Sequence, residues 1–426
     1  MARVVELGRT PPLREFLPRF ADARGVALLE GAGDAPGRWG WLCFDPLPGV
    51  ATPRSLGELA LPPADVPGPF AGGFVGALSY DLGPEGERIV LPRDPWQLPL
   101  CVGGIYTDFL VRDEHSGVSW LCVADPAREG DVRRRLEAPA PVLARPRPTG
   151  ALVRHTSRAE HMARVERVRA DIAAGEYYQA NLAHRFTRAV EGHPCAWFER
   201  LARINPAPYM GYLDFGSGAI LSASPELLLE VEGTRARSRP IKGTARRADE
   251  PHADRALADA LLASEKDRAE LAMIVDLVRN DLGRVARPGS VRVEGGFPRL
   301  ESYAGVHHLL ADVVAELAAG RTALDTLDAL FPGGSISGAP KLASMAAIAR
   351  EEGAGRGFFS GSLGFLDVRG NALWNILIRT LVWRREPSEF SFHVGGGITW
   401  SSDADAEERE TLLKAARLME TLEGEA

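Results

Sequence analysis

Short apolar runs and alternating apolar positions predict a chain rich in β-strands. Residues 1–136 contain apolar and aromatic runs interrupted by glycine and proline, which favour strands over long helices. A regular alternation begins after residue 178, where one side of the predicted strand carries Ala180, Leu182, His184 and Phe186. Further strand-like runs, which would close the sheet, cover residues 358–368, 372–382 and 390–398.

Helical periodicity appears between these strand-like runs. Ser157 and Glu160 match a capping box, and apolar residues then recur at helical spacing until Gly175 provides a stop. A long helix is predicted from about Ala256 to Leu282, because this stretch is rich in helix formers and contains neither glycine nor proline. Another helix is expected to begin at Pro340. This order of elements favours the α+β class over a regular βαβ repeat.

A proline-dense segment divides the chain. Residues 137–150 carry prolines at positions 139, 141, 146 and 148, which predicts an extended, semi-rigid connector. We therefore predict an N-terminal β-rich lobe at residues 1–136 and a C-terminal lobe at residues 151–426.

Composition and charge exclude several classes of protein. Lysine and arginine number 50 against 57 acidic residues, so a formal charge of -7 offers no broad basic field for nucleic acid. The N-terminus lacks the pattern of a signal peptide, and no run of about 18 apolar residues occurs, so we expect a cytoplasmic protein that does not enter a membrane. The four cysteines show no CxxC spacing, which argues against a disulfide framework or a zinc site.

Two acidic pairs on two predicted helices are candidate metal ligands. Asp267 and Glu270 are three residues apart, as are Glu407 and Glu410, so each pair projects from one helical face. If the two faces meet, the concentrated carboxylates need a cation. Mg²⁺ suits them, because it takes hard oxygen ligands and keeps positions open for water and an anionic substrate. Taken alone, such a pair more often lies on a solvated face.

The segment from Arg239 to Thr244 holds a candidate nucleophile. Lys242 lies between Pro-Ile and Gly-Thr, and burial there would lower the pKa of its amine and expose a neutral nucleophile. Glu226, in Ser-Pro-Glu, could transfer a proton to a leaving group. A surface lysine beside a turn and a solvated glutamate are the alternatives for these residues when each is considered alone.

Glycine clusters and buried polar residues add candidate binding groups. The run from Gly333 to Lys341 ends at a predicted helix N-terminus, and Gly395, Gly396 and Gly397 follow one another, so backbone N–H groups could approach a small carboxylate in both places. His307, His308 and Arg379 lie in apolar segments. Isolated glycine clusters more often form turns, and isolated buried histidines more often have structural roles.

In this order, the segments resemble the chorismate-utilising enzymes, the family of anthranilate, aminodeoxychorismate, isochorismate and salicylate synthases. The likeness is clearest over residues 155–418. Its motifs are Tyr178-Gln179-Ala180-Asn181-Leu182, Ser224-Pro225-Glu226, Pro240-Ile241-Lys242-Gly243-Thr244, Asp276-Leu277-Val278-Arg279-Asn280-Asp281-Leu282-Gly283, Phe331 to Lys341, and Ile378-Arg379-Thr380. The resemblance implies a single two-lobed fold with two packed antiparallel sheets and helices outside them.

The resemblance also implies roles for individual residues. Glu270 and Glu410 would bind Mg²⁺ directly, and Asp267 and Glu407 would act through water. The implied substrate-binding residues are Ser335, Phe365, Arg379, Gly395, Gly396 and Gly397, with the three glycines at the ring carboxylate and with Phe365 and Arg379 near the enolpyruvyl group. The implied catalytic groups are Lys242, Glu226, Thr244 and His308.

Lys242 separates members of the family. A lysine in Pro-Ile-Lys-Gly-Thr resembles the aminodeoxychorismate synthases, transaminase-class enzymes of 4-aminobenzoate and folate biosynthesis that combine chorismate with ammonia. No cysteine lies in the Gly-x-Cys-x-Gly setting of a glutamine amidotransferase, so a separate amidotransferase subunit is expected to supply the ammonia. The large component of an anthranilate synthase is an alternative, because His308 occupies the position of a histidine linked with the elimination of pyruvate in those enzymes. A third hypothesis is a subunit without catalytic activity that binds chorismate or tryptophan.

Overall fold

The strands account for much of the chain. A computed structural model describes residues 2–31, 37–49, 51–59, 61–87, 89–303 and 305–423. Its strands are β1 (Arg3–Arg9), β2 (Ala27–Glu30), β3 (Trp39–Phe44), β4 (Gly73–Leu78), β5 (Cys101–Tyr106), β6 (Asp108–Asp113), β7 (Val118–Val123), β8 (Arg147–Pro148), β9 (Val153–Arg154), β10 (Gln179–Glu191), β11 (Tyr209–Asp214), β12 (Gly218–Ser224), β13 (Leu227–Glu232), β14 (Arg235–Arg239), β15 (Ile241–Arg246), β16 (Arg292–Ser302), β17 (Val306–Glu316), β18 (Gly338–Ala339), β19 (Ser362–Asp367), β20 (Ala372–Asn375), β21 (Thr380–Arg384) and β22 (Glu389–Ile398).

The helices lie between and after these strands. They are α1 (Glu129–Glu137), α2 (Arg158–Ala173), α3 (Pro194–Ile204), α4 (Pro251–Ala263), α5 (Glu265–Gly283), α6 (Ala323–Leu330), α7 (Gly334–Ser337), α8 (Lys341–Glu352) and α9 (Ala404–Leu422). None of the helices in the described ranges is long and apolar enough to cross a membrane.

Two antiparallel sheets organise the molecule. The main path of the first runs β1-β7-β6-β3-β2-β11-β12-β21-β22-β10-β18, and that of the second runs β15-β17-β14-β13-β20-β19-β4-β5. Strands from both sides of the connector at 137–150 pair within each sheet: β2 pairs with β11 in the first, and β4 with β19 in the second. Residues 138–146 of the connector have no regular secondary structure.

The period-two alternation of strand side chains gives each sheet two apolar faces. In β2, Leu28 belongs to a core cluster that also contains residues of α3 and α9, whereas Leu29 belongs to a cluster shared with Val75 and Leu363 of the second sheet. The second sheet covers its other face with residues of α5 and α6. Two packed antiparallel sheets with helices outside them confirm the predicted α+β class.

The predicted long helix is wrong at one position. The stretch from Ala256 to Leu282 contains two helices, α4 and α5, which meet at Ser264. Ser264 has an extended backbone, with φ -64° and ψ 106°, and its hydroxyl accepts a hydrogen bond from the backbone N–H of Asp267 at 3.2 Å. Serine is a strong N-cap, so this local interaction begins a new helix where composition alone favours a continuous one.

Other element boundaries also differ from the predictions. The strand predicted at 372–382 is interrupted by residues 376–379, where the chain leaves β20 and enters β21. Pro340 is the residue before α8 and not its first helical residue. The helix predicted after Ser157 is confirmed as α2, and the Ser157 hydroxyl caps it by accepting a hydrogen bond from the N–H of Glu160. The predicted capping box is incomplete, because the Glu160 carboxylate accepts from Arg164 and not from the backbone of Ser157.

A buried ion pair joins two of the motifs on which the family resemblance depends. Lys341 Nζ, at the start of α8, donates to Asp281 Oδ2 at 2.8 Å and to the carbonyl of Leu330 at 2.9 Å. Both charged side chains are at most 11% exposed. This contact fixes the C-terminal part of α5 against the glycine-rich segment that contains α7, so these motifs are explained by packing.

Candidate active site

The candidate site lies where the edge strand β15 of the second sheet approaches the end of β22 in the first. A Cβ atom added at Gly397 would lie 3.1 Å from Lys242 Nζ and 2.9 Å from Gln179 Nε2. Glycine at this position therefore leaves room for the lysine amine beside the backbone of β22. The two sheets together place the predicted nucleophile next to the predicted carboxylate-binding strand.

The Lys242 amine is enclosed among charged groups. Its side chain is 13% exposed, and Nζ lies 4.0 Å from Glu270 Oε2. Burial lowers the pKa of Lys242, and the positive charge of Lys414 lowers it further, against the opposing attraction of nearby carboxylates such as Glu226. The neutral amine needed for nucleophilic attack is consequently easier to reach here than on the protein surface.

Glu226 is a buried carboxyl group beside this amine. It lies directly before β13, two residues after the end of β12, and its Oε1 accepts a hydrogen bond from the N–H of Ile241 at 3.4 Å. Burial raises the pKa of Glu226 to about 7, although interactions with Ser335 and Lys242 oppose the rise. At neutral pH a substantial fraction of this group is protonated, which is the state that a general acid requires.

Adjacent histidines on β17 face opposite sides of the sheet. His308 Nδ1 shares a hydrogen bond of 3.0 Å with Thr244 Oγ1, whereas His307 is bonded to Ser302 and Asp254. Burial lowers the pKa of His308 to about 3, and the charge of Arg379 contributes to this shift. His308 is therefore neutral at physiological pH, and its buried Nε2 has no hydrogen-bond partner among the described residues.

Two further predicted binding residues present polar side chains near Lys242 and Glu226. Ser335, in α7, is 6% exposed, and its Oγ is close enough to Glu226 to lower the pKa of that carboxyl but makes no hydrogen bond of normal geometry within the described ranges. Arg379 follows β20 in a left-handed backbone conformation, with φ 51°. Its pKa is lowered by burial, and no described carboxylate forms an ion pair with it. A half-buried guanidinium in this state is suited to an anionic ligand.

The first acidic pair borders Lys242. Asp267 is the N3 residue of α5 and accepts a hydrogen bond from the Ser264 hydroxyl. Gly243, with φ 80°, packs so closely against it that an added Cβ would lie 3.0 Å from Asp267 Cγ. Glu270 is less constrained, because its oxygens lie 4.0 Å from Lys242 Nζ and 3.9 Å from Lys266 Nζ.

The second acidic pair lies on α9 against the glycine strand. Glu407 is 4% exposed and accepts a hydrogen bond from Ser402 Oγ at 2.7 Å, and a Cβ added at Gly396 would lie 3.2 Å from Glu407 Oε2. Glu410 Oε1 lies 2.8 Å from Lys414 Nζ. Glu270 and Glu410 both contribute to the electrostatic environment of Lys242, so the two helices bring their acidic residues to one site.

This set of carboxylates fits a magnesium ion. Its oxygens are hard donors, and the Glu270 carboxylate makes no hydrogen bond to any described residue, so it is available as a ligand. Lysines 242, 266 and 414 moderate the negative charge of the group in the absence of a cation. The assignment of Mg²⁺ itself stays a prediction.

Phe365 has a different setting from the other predicted residues. It lies in β19, is 1% exposed, and its ring centroid is 5.1 Å from those of Trp41 and Phe70. These contacts place it in the apolar core between the sheets. Its approach to a bound substrate therefore stays a prediction, and packing accounts for its burial.

Two residues in the site were not predicted to act there. Gln179 is fully buried, and both polar atoms of its side-chain amide lack hydrogen-bond partners in the described part of the chain. Lys414 donates to the carbonyl of Gly395 at 3.3 Å and contacts Glu410. The spacing of Lys414 four residues after Glu410 was the available sequence signal, because such residues share a helix face.

Comparison with known proteins decides the family. Residues 50–420 match the family described as chorismate binding enzyme. The chain belongs to this family.

Relatives within the family carry two different names. The chain is 40% identical over 360 residues to aminodeoxychorismate synthase component 1 of Salmonella typhimurium, covering 83% of this chain and 78% of that protein. It is 37% identical over 422 residues to anthranilate synthase component 1 of Streptomyces coelicolor, covering 93% and 81%. Overall identity therefore does not separate the two activities among the chorismate-binding enzymes.

Solved structures support the fold. Anthranilate synthase component I from Streptococcus pneumoniae superposes with a TM-score of 0.77 at 29% identity, covering 90% of this chain and 92% of that one. The menaquinone-specific isochorismate synthase from Escherichia coli gives a TM-score of 0.78 at 18% identity, covering 99% and 95%. The fold of this chorismate-binding enzyme is thus shared with both of these solved structures.

Proposed function

We propose that this chain is the large component of an aminodeoxychorismate synthase, which forms 4-amino-4-deoxychorismate from chorismate and ammonia. The observation that carries the proposal is Lys242, a buried amine of lowered pKa that lies against Gly397 and close to the acid Glu226. An amine in this position can bond to the substrate ring and decide where ammonia adds.

The proposed reaction has two allylic displacements. The lone pair of the neutral Lys242 amine forms a bond to ring carbon 2, each of the two ring double bonds moves by one position, and the carbon–oxygen bond at carbon 4 breaks. Glu226 gives its proton to the departing hydroxyl, which leaves as water, and Lys242 stays bonded to carbon 2 as a secondary ammonium. Ammonia then adds at carbon 4 and becomes an ammonium group, the double bonds return, and the bond from carbon 2 to the lysine nitrogen breaks, so that Lys242 leaves as the free amine. A proton from the new ammonium group restores the acid form of Glu226. The enzyme amine at carbon 2 excludes ammonia from that carbon.

The remaining groups would bind and orient the substrate. Arg379 supplies a half-buried cation, with no carboxylate partner among the described residues, for a carboxylate of the substrate. The Ser335 hydroxyl and the backbone of Gly395 to Gly397 supply further polar contacts. Glu270 and Glu410 would hold Mg²⁺, with Asp267 and Glu407 supporting it through water. When bound, the ion would neutralise the acidic pairs and attract the ring carboxylate.

Glutamine should not serve as the nitrogen source for the isolated chain. Burial raises the pKa of all four cysteine thiols, to about 11 for Cys101 and about 12 for Cys122 and Cys195, so none resembles an activated thiolate. We expect the purified chain to aminate chorismate with ammonium salts at elevated pH and to be inactive with glutamine. Glutamine-dependent turnover without added protein would contradict the proposed separate amidotransferase subunit.

The pH dependence should report Glu226. Because its pKa is about 7, the protonated acid is lost as the pH rises through 7, and kcat/KM should decline on the alkaline side when free ammonia is held constant. Glu226→Gln cannot donate a proton, so we expect turnover to fall by about 10²- to 10⁴-fold and the decline near pH 7 to disappear. If the Glu226→Gln variant shows the same decline of kcat/KM above pH 7, the decline must arise from the titration of another group.

Product analysis tests the proposal as a whole. The chain is incubated with chorismate, Mg²⁺ and ammonium, and the products are separated and identified by mass spectrometry. Aminodeoxychorismate supports the proposal, whereas anthranilate with pyruvate supports the alternative that His308 and the similarly close anthranilate synthase relatives favour. Chorismate binding without turnover would support the non-catalytic reading.

A further inference from the structure

A second cluster of potential metal ligands lies away from the candidate active site. His161 of α2, His184 of β10 and Glu408 of α9 each offer a ligand atom, and these atoms lie within 4.8 Å of one another. All three side chains are at most 2% exposed. Three separate elements therefore converge on one small, buried volume.

One ring nitrogen of each histidine lacks a hydrogen bond. His184 Nε2 has no hydrogen-bond partner among the described residues, whereas its Nδ1 lies 3.5 Å from Arg154 Nη2. His161 Nδ1 lies 2.8 Å from Glu408 Oε2, but the two groups are not aligned for a hydrogen bond. A buried polar nitrogen without a partner is costly, so its presence at two neighbouring histidines requires a physical reason.

We propose that His161, His184 and Glu408 form a site for a divalent transition-metal ion of the Zn²⁺ class. Two imidazole nitrogens and one carboxylate oxygen are a donor set that such ions prefer, whereas Mg²⁺ prefers oxygen alone. The site is distinct from the two acidic pairs, which offer only oxygen.

Arg154 fits this arrangement as a partner of the carboxylate. Its Nη1 donates to Glu408 Oε1 at 2.7 Å, and its Nη2 donates to Oε2 at 3.0 Å. An ion would take Oε2, which already faces His161, while Arg154 keeps Oε1. Metal-bound carboxylates are commonly oriented by such outer contacts. The arginine side chain is 23% exposed, so it can withdraw from Oε2 toward solvent.

The location gives the ion a structural role. Glu408 immediately follows Glu407 on α9, but a helix rotates by about 100° per residue, so the two carboxylates face different sides. An ion at Glu408 would tie α9 to α2 and β10. It would therefore fix the helix that carries Glu407 and Glu410 without itself touching the substrate.

Cobalt is a suitable probe, because four-coordinate Co²⁺ absorbs visible light and replaces Zn²⁺ in nitrogen and oxygen sites. The metal-stripped full chain is saturated with Mg²⁺ and titrated with Co²⁺. We expect one equivalent to bind with the absorption of a four-coordinate ion and to raise the melting temperature. Zn²⁺ should displace it.

Variants identify the ligands. His184→Gln and Glu408→Gln should lose the absorption band and the thermal shift, while His155→Gln, a matched change at a histidine outside the cluster, should keep both. Glu270→Gln should also keep both, because it alters only an acidic pair. Arg154→Met retains all three ligands and should bind Co²⁺ at least as tightly as the unmodified chain.

The proposal is overturned if the unmodified chain binds no Co²⁺ in the presence of Mg²⁺. It is equally overturned if Arg154→Met binds none, or if binding survives both cluster variants and disappears in Glu270→Gln. Circular dichroism of each variant separates loss of a ligand from loss of the fold. If a cluster variant does not fold, the unmodified chain, Arg154→Met and Glu270→Gln decide the outcome.

Discussion

Replacing Lys242 by alanine should slow 4-amination of chorismate by several orders of magnitude. The proposed covalent step divides one difficult displacement into two easier ones, and the alanine variant loses both. Carbon 2 would also become accessible to ammonia. We therefore expect a minor product aminated at carbon 2, or anthranilate if the neutral His308 assists elimination. Product ratios measured by mass spectrometry at fixed chorismate, Mg²⁺ and ammonia concentrations would reveal both effects.

Lys266→Ala provides the matched control. Lys266 is also close to Glu270, at 3.9 Å, but its side chain is 56% exposed and makes no approach to Gly397. Its loss should leave the reaction at carbon 4 largely intact. In the unmodified protein, chorismate without ammonia should produce a covalent adduct that maps to Lys242. Unimpaired 4-amination by Lys242→Ala would mean that ammonia attacks carbon 4 directly, and the covalent route would be abandoned.

Removing either Glu270 or Glu410 should abolish turnover while leaving the chain folded. Neither residue belongs to a described apolar core cluster: the ion-pair partners of Glu270 among the described residues are two lysines at 3.9 and 4.0 Å, and the Glu410 side chain is 52% exposed. Their carboxylates are the proposed direct ligands of Mg²⁺, and charge stabilisation by such an ion is typically essential. Steady-state activity over a range of Mg²⁺ concentrations, with melting temperature as the measure of folding, checks both parts of this expectation.

Glu265→Gln is the control for Glu270→Gln, because it makes the same change at an exposed position of the same helix. The control should retain activity and its Mg²⁺ dependence. Full activity of the unmodified chain in excess chelator would remove the basis for a metal in this reaction. So would a Glu270→Gln variant with unchanged turnover and an unchanged response to Mg²⁺.

The sequence motifs predicted the fold class. They also named many of the residues that the structure places close together in the candidate site. Lys242 and Glu226 could be proposed as candidates from the sequence because each lies in a motif that restricts the backbone, Pro-Ile-Lys-Gly-Thr for Lys242 and Ser-Pro-Glu for Glu226. Restriction of the local backbone can be predicted from a sequence, because proline restricts the backbone conformation and glycine permits conformations that other residues rarely adopt. What the motifs could not give was the meeting of β15 with the end of β22, which depends on how two sheets pack.

The features that were not predicted have two causes. One is competition between a local hydrogen bond and the helix propensity of the surrounding residues, and the other is contact between residues that are far apart in the sequence. Composition favoured one helix through Ser264, but a single hydroxyl capping the Asp267 N–H outweighed it. The His161, His184 and Glu408 cluster has no sequence signature, because its members come from three elements that only tertiary packing joins. Gln179 occupies the side of β10 opposite the apolar series that was predicted to define that strand.

The backbone at Arg379 illustrates local frustration. A left-handed conformation at a residue with a side chain costs roughly 1–2 kcal/mol, and glycine would adopt it without that strain. The guanidinium adds the partial desolvation of a half-buried cation that no described carboxylate neutralises. Both effects lower the stability of the folded state at one position between β20 and β21. If only the free energy of folding mattered, a different residue would be favoured there. A bound carboxylate would relieve the electrostatic part of this conflict, so ligand binding and conformational stability should be thermodynamically linked through Arg379.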